Sequence, residues 1–415
     1  MALNYKPIFK LDTHKGVIRC LSFHPSKPLL ASGGEDKYVY IWDCATRKAL
    51  FFCEGKATPL CLAWTEQDDT LHCGFADGYL LSIRPDDQTR SLSGPFFKAH
   101  SCPITCIAVH QSGKWLATAG GHDIRIWSRE DLKCVWRRST VLDPPPMVAW
   151  NARSDVIVTS LHWMQKEDIP GEAAGCKPAY ESSGNFENFD QVANSSPRNL
   201  LVSYRDHGVV RWDIQDRRAL GVLNVTEQIA SADCSPDSCY IAVSDFQGNV
   251  DVYDVSTGLP VNSFAAQSGG QETAAFAVKF IHAGEALLVC NSAGDVVIFD
   301  LESRTEIQAL KARSLTLARS TSNNRNLPAF AAKHYYDEGD VLQIAIGSAT
   351  PTSSDFTLWQ ATEVPSARSQ LDSDLTGRMD SANTDIHSKS KLSLWVWMTA
   401  GLAAMVGYIL YRQQK

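Results

Sequence analysis

"THKGVIRCLSFHPSKPLLASGGEDKYVYIWD", residues 13–43, decides the fold. Apolar residues alternate through "VIRCLSF" (17–23), a polar turn follows at "HPSKP", and "LLASGG" (29–34) reads as a second strand. After the turn "EDK", a third alternating run closes on an aromatic in "YVYIWD" (38–43). Alternation at a period of two belongs to strands with one buried face, so this stretch predicts three short antiparallel strands.

The unit recurs. "IRIWS" (124–128), "VVRWD" (209–213), "VDVYD" (250–254), "VVIFD" (296–300) and "FTLWQ" (356–360) repeat the closing strand, and "YLLSIRPD" (79–86) is a weaker copy with Ile83 in the aromatic place. The closing positions lie 41 residues apart from Trp42 to Ile83, 44 from Ile83 to Trp127, 41 from Trp212 to Tyr253 and 46 from Tyr253 to Phe299. Gaps of 85 before Trp212 and 60 before Trp359 require insertions. Four short strands in such a period form a propeller blade, and seven closing strands predict seven blades. After "FTLWQATEV" the sequence turns polar, leaving the last blade without a fourth strand, whereas "YKPIFKLD" (5–12) precedes the first blade as an orphan. This segment is expected to complete blade seven and so remove exposed sheet edges.

On these residues the chain resembles the WD-repeat (WD40) β-propeller family, over roughly residues 5–362. The resemblance places His14, Ser32, Asp36 and Trp42 in that family's buried hydrogen-bonded tetrad. In the third unit it places His100, Thr118 and Trp127 there, and, because the second turn is one residue shorter than in the first unit, Asp123 is the acidic residue nearest to the place of Asp36. Asp77 and Asp206 stand six residues before their closing positions, as Asp36 does, whereas Gln247 and Ala293 fill that place in units five and six. The later blades are therefore expected to rely more on packing. The resemblance implies a rigid, non-enzymatic ring that binds proteins or peptides through its loops.

The rest of the chain narrows the chemistry. The 415 residues carry a net charge of −7, spread along the sequence with no basic face of the kind nucleic acid requires. Twelve cysteines are scattered singly with no CxxC pair, the pattern of reduced, buried thiols in a chain too large to need disulfide staples. The N-terminus has no apolar stretch of secretory length, so the sequons at Asn194 and Asn224 carry little weight. His100, Cys102, Cys106 and His110 look metal-like, but in a strand rising about 3.3 Å per residue Cys102 and Cys106 lie about 13 Å apart, too far to share one zinc. "EGKAT" (54–58) lacks the first glycine and the hydroxyl residue of a phosphate loop. No nucleophile elbow, HExxH helix or dinucleotide fingerprint is present, so neither catalysis nor a cofactor is expected. The stretch 164–198 reads as an acidic insertion in blade four, and 311–330, with Lys311, Arg313, Arg319 and Arg325, as a basic loop leading to blade seven.

The end of the chain reads differently. Residues 363–391 are rich in Ser and Asp and read as a disordered linker, and "LSLWVWMTAGLAAMVGYILY" (392–411) has no charge over twenty residues, before a tail at 412–415. Twenty residues at about 1.5 Å rise match a bilayer core, so 392–411 is expected to be a transmembrane helix. Lys391, Trp395, Trp397, Tyr408, Tyr411 and Arg412 would sit at the interfaces, and Ala400, Ala403, Ala404 and Gly407 would offer a helix-dimer face. The protein so read is tail-anchored, with a cytosolic propeller on the endoplasmic reticulum, or on the mitochondrial outer membrane or peroxisome. Its expected function is a membrane-tethered scaffold for protein or peptide partners. In outline it also resembles the endoplasmic-reticulum exchange factors of the COPII coat, which implies the alternative of nucleotide exchange on a coat GTPase. A substrate receptor of a cullin ubiquitin ligase would carry Arg three residues after the closing Trp, where Ala45, Glu130 and Gln215 stand.

Overall fold

The computed structural model describes residues 3–86, 91–138, 156–164, 198–216, 218–223, 225, 227–265, 277–290, 296–310, 330–335, 341–347 and 355–363. Residues 5–361 make one compact unit, and residues 1–4 with 362–415 make a second, of which Leu3, Asn4, Thr362 and Glu363 are described.

The first unit is a seven-bladed β-propeller. Blade one is the antiparallel sheet Ile18–Phe23, Leu29–Gly34, Tyr38–Asp43 and Lys48–Glu54, in that spatial order from the inside out. The inner strands of blades two to seven are Pro59–Thr65, Cys106–Val109, Val158–Trp163, Ile229–Cys234, Val278–Ile281 and Phe330–Tyr335. Each touches the next, and the inner strand of blade seven touches Ile18–Phe23, so the ring is closed. Its core is the apolar filling between neighbouring sheets: Ile18, Leu30 and Trp42 of blade one, for example, meet Phe356 and Leu358 of blade seven.

Two irregularities repeat around the ring. The register between third and outer strands shifts just before the closing aromatic, at Ile41/Trp42, Ile126/Trp127, Arg211/Trp212, Val252/Tyr253 and Ile298/Phe299. A second shift falls inside the inner strand, at Ile18/Cys20, Pro59/Cys61, Val158/Ser160 and Ile229/Ser231. Bulges bend and twist a strand, which fans the blades outward from the axis. The residue after the inner bulge is small because it packs against the next blade: Cys20 Sγ lies 3.6 Å from Pro59 O and Cys61 Sγ 3.3 Å from Ile104 O. The opposing residues are Gly33 and Gly74, where an added Cβ would stand 2.7 Å from the sulfur.

The ring closes with the start of the chain. Leu3–Asp12 pairs with Asp355–Glu363, giving blade seven the order Leu3–Asp12, Asp355–Glu363, Val341–Gly347, Phe330–Tyr335. Blade six also holds this strand through side chains. Tyr5 N–H donates to Gln308 Oε1 at 2.8 Å, Gln308 Nε2 donates to Tyr5 O at 2.9 Å, and Tyr5 OH lies 2.6 Å from His282 Nε2.

The expectation of a membrane anchor is corrected. Among the described residues no helix is long and apolar enough to cross a membrane. Residues 392–411 lie outside them, and so do Lys391, Trp395, Trp397, Tyr408, Tyr411 and Arg412 and the small residues Ala400, Ala403, Ala404 and Gly407. A run of twenty apolar residues has the length a span needs, but hydropathy alone does not establish the helix. The transmembrane element, the tail-anchored description, the organelle localisation and the helix-mediated dimer are therefore set aside. The insertion 164–198, the loop 311–330 and the linker 363–391 fall almost wholly outside the described residues.

Candidate protein-interaction site

In blade one His14 Nδ1 lies 3.0 Å from both carboxylate oxygens of Asp36 and Nε2 lies 2.8 Å from Ser32 Oγ, to which the Trp42 indole donates at 2.9 Å. A carboxylate facing Nδ1 keeps the proton there, so Ser32 donates to Nε2 while accepting from Trp42. Burial raises the Asp36 pKa, but the bonds from His14 and the Lys15 and Tyr38 N–H groups outweigh it and hold the carboxyl below its usual range. In blade three His100 Nε2 is 2.8 Å from Thr118 Oγ1, and the Trp127 indole donates to the same oxygen at 2.9 Å. His100 Nδ1 stands 3.4 Å from Asp123, whose carboxylate also binds Arg125 at 2.7 Å and Arg137 at 3.0 Å.

Elsewhere the network is rewired. Leu30 pairs with Trp42 and Ser32 follows two residues on; in blade four Leu200 pairs with Trp212 and that second residue is Val202. The Trp212 indole donates instead to Tyr204 OH at 3.2 Å. In blade seven Ile346 takes the place, and Trp359 Nε1 has no hydrogen-bond partner among the described residues. Asp77 accepts from the Tyr79 N–H at 3.3 Å, and Asp206 takes the Gln228 amide at 2.5 Å. Blade two uses a different residue: His72 Nε2 is 2.9 Å from Thr65 Oγ1 and Nδ1 is 2.8 Å from Ser82 Oγ. Burial pushes the His72 pKa down to about 3, so the ring is neutral. His14, Ser32, Trp42, His72, His100, Thr118 and Trp127 are buried, and their bonds tie together the strands of a single blade. Among the described residues, no group of three or more His, Cys, Asp or Glu side chains is placed to hold a metal.

The outward continuation of the first tetrad is a different kind of surface. Alternation puts Tyr38, Tyr40 and Trp42 on one face, and register sets Phe52 of the outer strand opposite Tyr40. Ring centroids lie 5.5 Å apart for Tyr40 and Trp42, 5.8 Å for Tyr38 and Tyr40, and 6.0 Å for Tyr40 and Phe52. The His14 ring meets Tyr40 edge-on at 4.8 Å, and Trp42 meets Phe356 of blade seven at 5.4 Å. The row thus runs from a Trp 2% exposed, through half-buried tyrosines, to Phe52 at 65%. Ile8, Phe9 and Leu11 of the closing strand pack against the same cluster, and the Arg47 guanidinium lies over the Phe9 ring at 5.1 Å. Tyr38 OH donates to Glu54 at 3.1 Å, a bond that raises the Tyr38 pKa. The result is an aromatic row on one face of blade one that runs from the core out to the exposed Phe52. Tyr38 and Tyr40 stand in the stretch that decides the fold, and their shared face follows from its alternation; Phe52 and Phe9 join them only through pairing and ring closure.

Two stretches, residues 5–43 and 92–128, match the family model described as WD domain, G-beta repeat. They contain the two complete sets of tetrad side chains. The chain is 23% identical over 275 residues to a WD repeat-containing protein 53 homolog of Dictyostelium discoideum, covering 62% of this chain and 68% of that protein. It is 24% identical over 149 residues to the pre-mRNA-splicing factor cwf17 of Schizosaccharomyces pombe, covering 34% of this chain and 42% of that one. With the APC/C activator protein CDC20 of Saccharomyces cerevisiae it shares 24% identity over 144 residues, covering 32% and 24%. The matched repeat is that of propellers that serve as non-catalytic scaffolds, and the seven-bladed fold is consistent with that role.

Proposed function

We propose that the chain is a non-catalytic propeller that docks a segment of another protein on the aromatic row of blade one, against Tyr38, Tyr40 and Phe52. One observation carries this reading. Phe52 is 65% exposed at the end of a ring row whose other end is fixed in the core. An aromatic so placed is a preorganised anchor: its rotamer is already restrained by Tyr38 and Tyr40, so a partner that covers it loses little further side-chain entropy. Burying a Phe side chain contributes about 1.5–3 kcal/mol, and such anchors dominate interface energies. The match to repeats that build scaffolds supports the same reading.

The test is a random-sequence peptide library displayed on phage and panned against the full chain. Enriched peptides are expected to bind the wild type and to lose at least about tenfold in affinity with Phe52→Ser, which corresponds to about 1.4 kcal/mol. Unchanged binding by Phe52→Ser, with its unfolding transition intact, overturns the proposal.

A further inference from the structure

We infer that the segment received by this aromatic row is acidic, with an apolar anchor flanked by carboxylates; the inference rests on the docking reading above. The stretch of chain that carries the row is basic within an acidic protein. Residues 3–58 hold nine Lys and Arg against five Asp and Glu, while the whole chain carries −7.

The two signs are also used differently. Asp36 is taken by His14, Glu35 by Arg19 and Glu54 by Tyr38 OH. Asp43 accepts the Ala45 and Thr46 N–H groups and the Thr46 hydroxyl within its own turn. These four carboxylates are each hydrogen-bonded within the fold. Among the cations, Arg19 pairs with Glu35 and Lys27 with Asp69. Lys6, Lys15, Lys37, Arg47, Lys48 and Lys56 are exposed and have no carboxylate partner among the described residues.

Their places surround the rings. Lys37 adjoins Tyr38, Lys56 lies two residues beyond Glu54, Lys48 begins the strand that carries Phe52, and Lys6 shares the closing strand with Phe9. Arg47, over Phe9, already shows how a cation and a ring share this surface. A peptide laying an aromatic or aliphatic side chain on Phe52 brings its flanking residues within a Debye length, about 10 Å at 0.1 M salt, of several of these charges. Complementary carboxylates speed encounter and select the partner. A nucleic acid would also seek the cations, but Glu54 stands beside the row at Tyr38 and keeps a negative charge that would face a continuous phosphate chain. A peptide can place a neutral residue there.

The experiment uses the peptides selected on the full chain, measured by fluorescence anisotropy at low and high salt. Arg47→Asn with Lys48→Glu removes one positive charge beside the row and reverses another; Asn tolerates the left-handed backbone of Arg47 (φ 61°), so the turn is kept. The expected result is an excess of Asp and Glu among enriched peptides, affinity falling as salt rises, and a loss of about tenfold or more in the double variant at low salt that shrinks at high salt. Peptides without acidic excess, bound equally at both salts and by the double variant yet lost in Phe52→Ser, overturn the acidic partner and leave the docking site standing. Binding indifferent to Phe52→Ser instead overturns the docking site. Retention of a single-stranded RNA homopolymer by the wild type, abolished in the double variant, would assign the surface to nucleic acid and overturn the inference.

Discussion

Ser32 Oγ serves two buried partners, accepting from Trp42 and donating to His14. Ser32→Ala therefore does more than delete one bond: it leaves an indole N–H and an imidazole nitrogen unpaired, each at about 1–3 kcal/mol. We expect a loss of about 2–4 kcal/mol in urea denaturation, against less than about 0.5 kcal/mol for Lys56→Ala on the surface. His72 makes a second residue-scale prediction. Its folded pKa is about 3, below the value of about 6.5 for a free imidazole, so its contribution is complete above pH 6.5 and is lost as pH falls towards 3. Burial displaces His162 and His207 in the same direction. Stability measured from pH 7 to 4.5 should fall by up to about 1.4 kcal/mol per pH unit for each such group, and His72→Gln should flatten that slope. An unchanged slope in the variant would refute the assignment. Asp36 and Asp123 contribute in a different window: with carboxyls held low, their share is present above the usual carboxylate range and disappears only in stronger acid.

At the scale of elements, the closing strand is held by two blades, and the bonds of its Tyr5 backbone to blade six come from one amide. Gln308 satisfies both the N–H and the C=O of Tyr5, acting as a side-chain substitute for a strand neighbour. Gln308→Ala should cost about 1–3 kcal/mol by leaving those groups without their partner. Hydrogen exchange should show Leu3–Asp12 opening faster while Ile18–Phe23 keeps its protection. Turns have equally local demands. Gly208 has φ +70°, and a Cβ there would stand 2.4 Å from Leu223 O, so Gly208→Ala should lower stability by more than about 1 kcal/mol, read from the urea midpoint. The strands themselves were legible because alternation and closing aromatics are local signals. The latch was not: Tyr5 and Gln308 are 303 residues apart, and only a closed ring brings them together. The aromatic row lies between these cases. Alternation puts Tyr38 and Tyr40 on the Trp42 face, but Phe52 joins them only through its pairing with Tyr40 in the sheet. The tetrads divide in the same way. Blades one and three keep a hydroxyl residue at the place beneath the indole, whereas blade four has Val202 there, and the bond from Trp212 to Tyr204 becomes visible only in the structure. At the end of the chain, apolar composition suggested a helix, and composition supplies no pairing or packing from which a fold can be argued.

For the whole molecule, the ring gives each sheet two neighbours, so stability is shared through seven seams instead of one central core. A lesion in one seam should accordingly spread. Gly74→Val would drive a side chain against Cys61 and Ile104 between blades two and three, and we expect a lower urea midpoint with a single transition retained, the mark of a ring that opens as one body. Closure by the first strand has a further consequence, in time. Asp355 lies 343 positions after Asp12. At roughly 5–20 residues per second of translation, Leu3–Asp12 leaves the ribosome roughly 20 to 70 s before its hydrogen-bonding mate exists. Through that interval it is an unpaired apolar strand in a crowded cell, which makes chaperone occupancy of the nascent N-terminus part of how this ring is made.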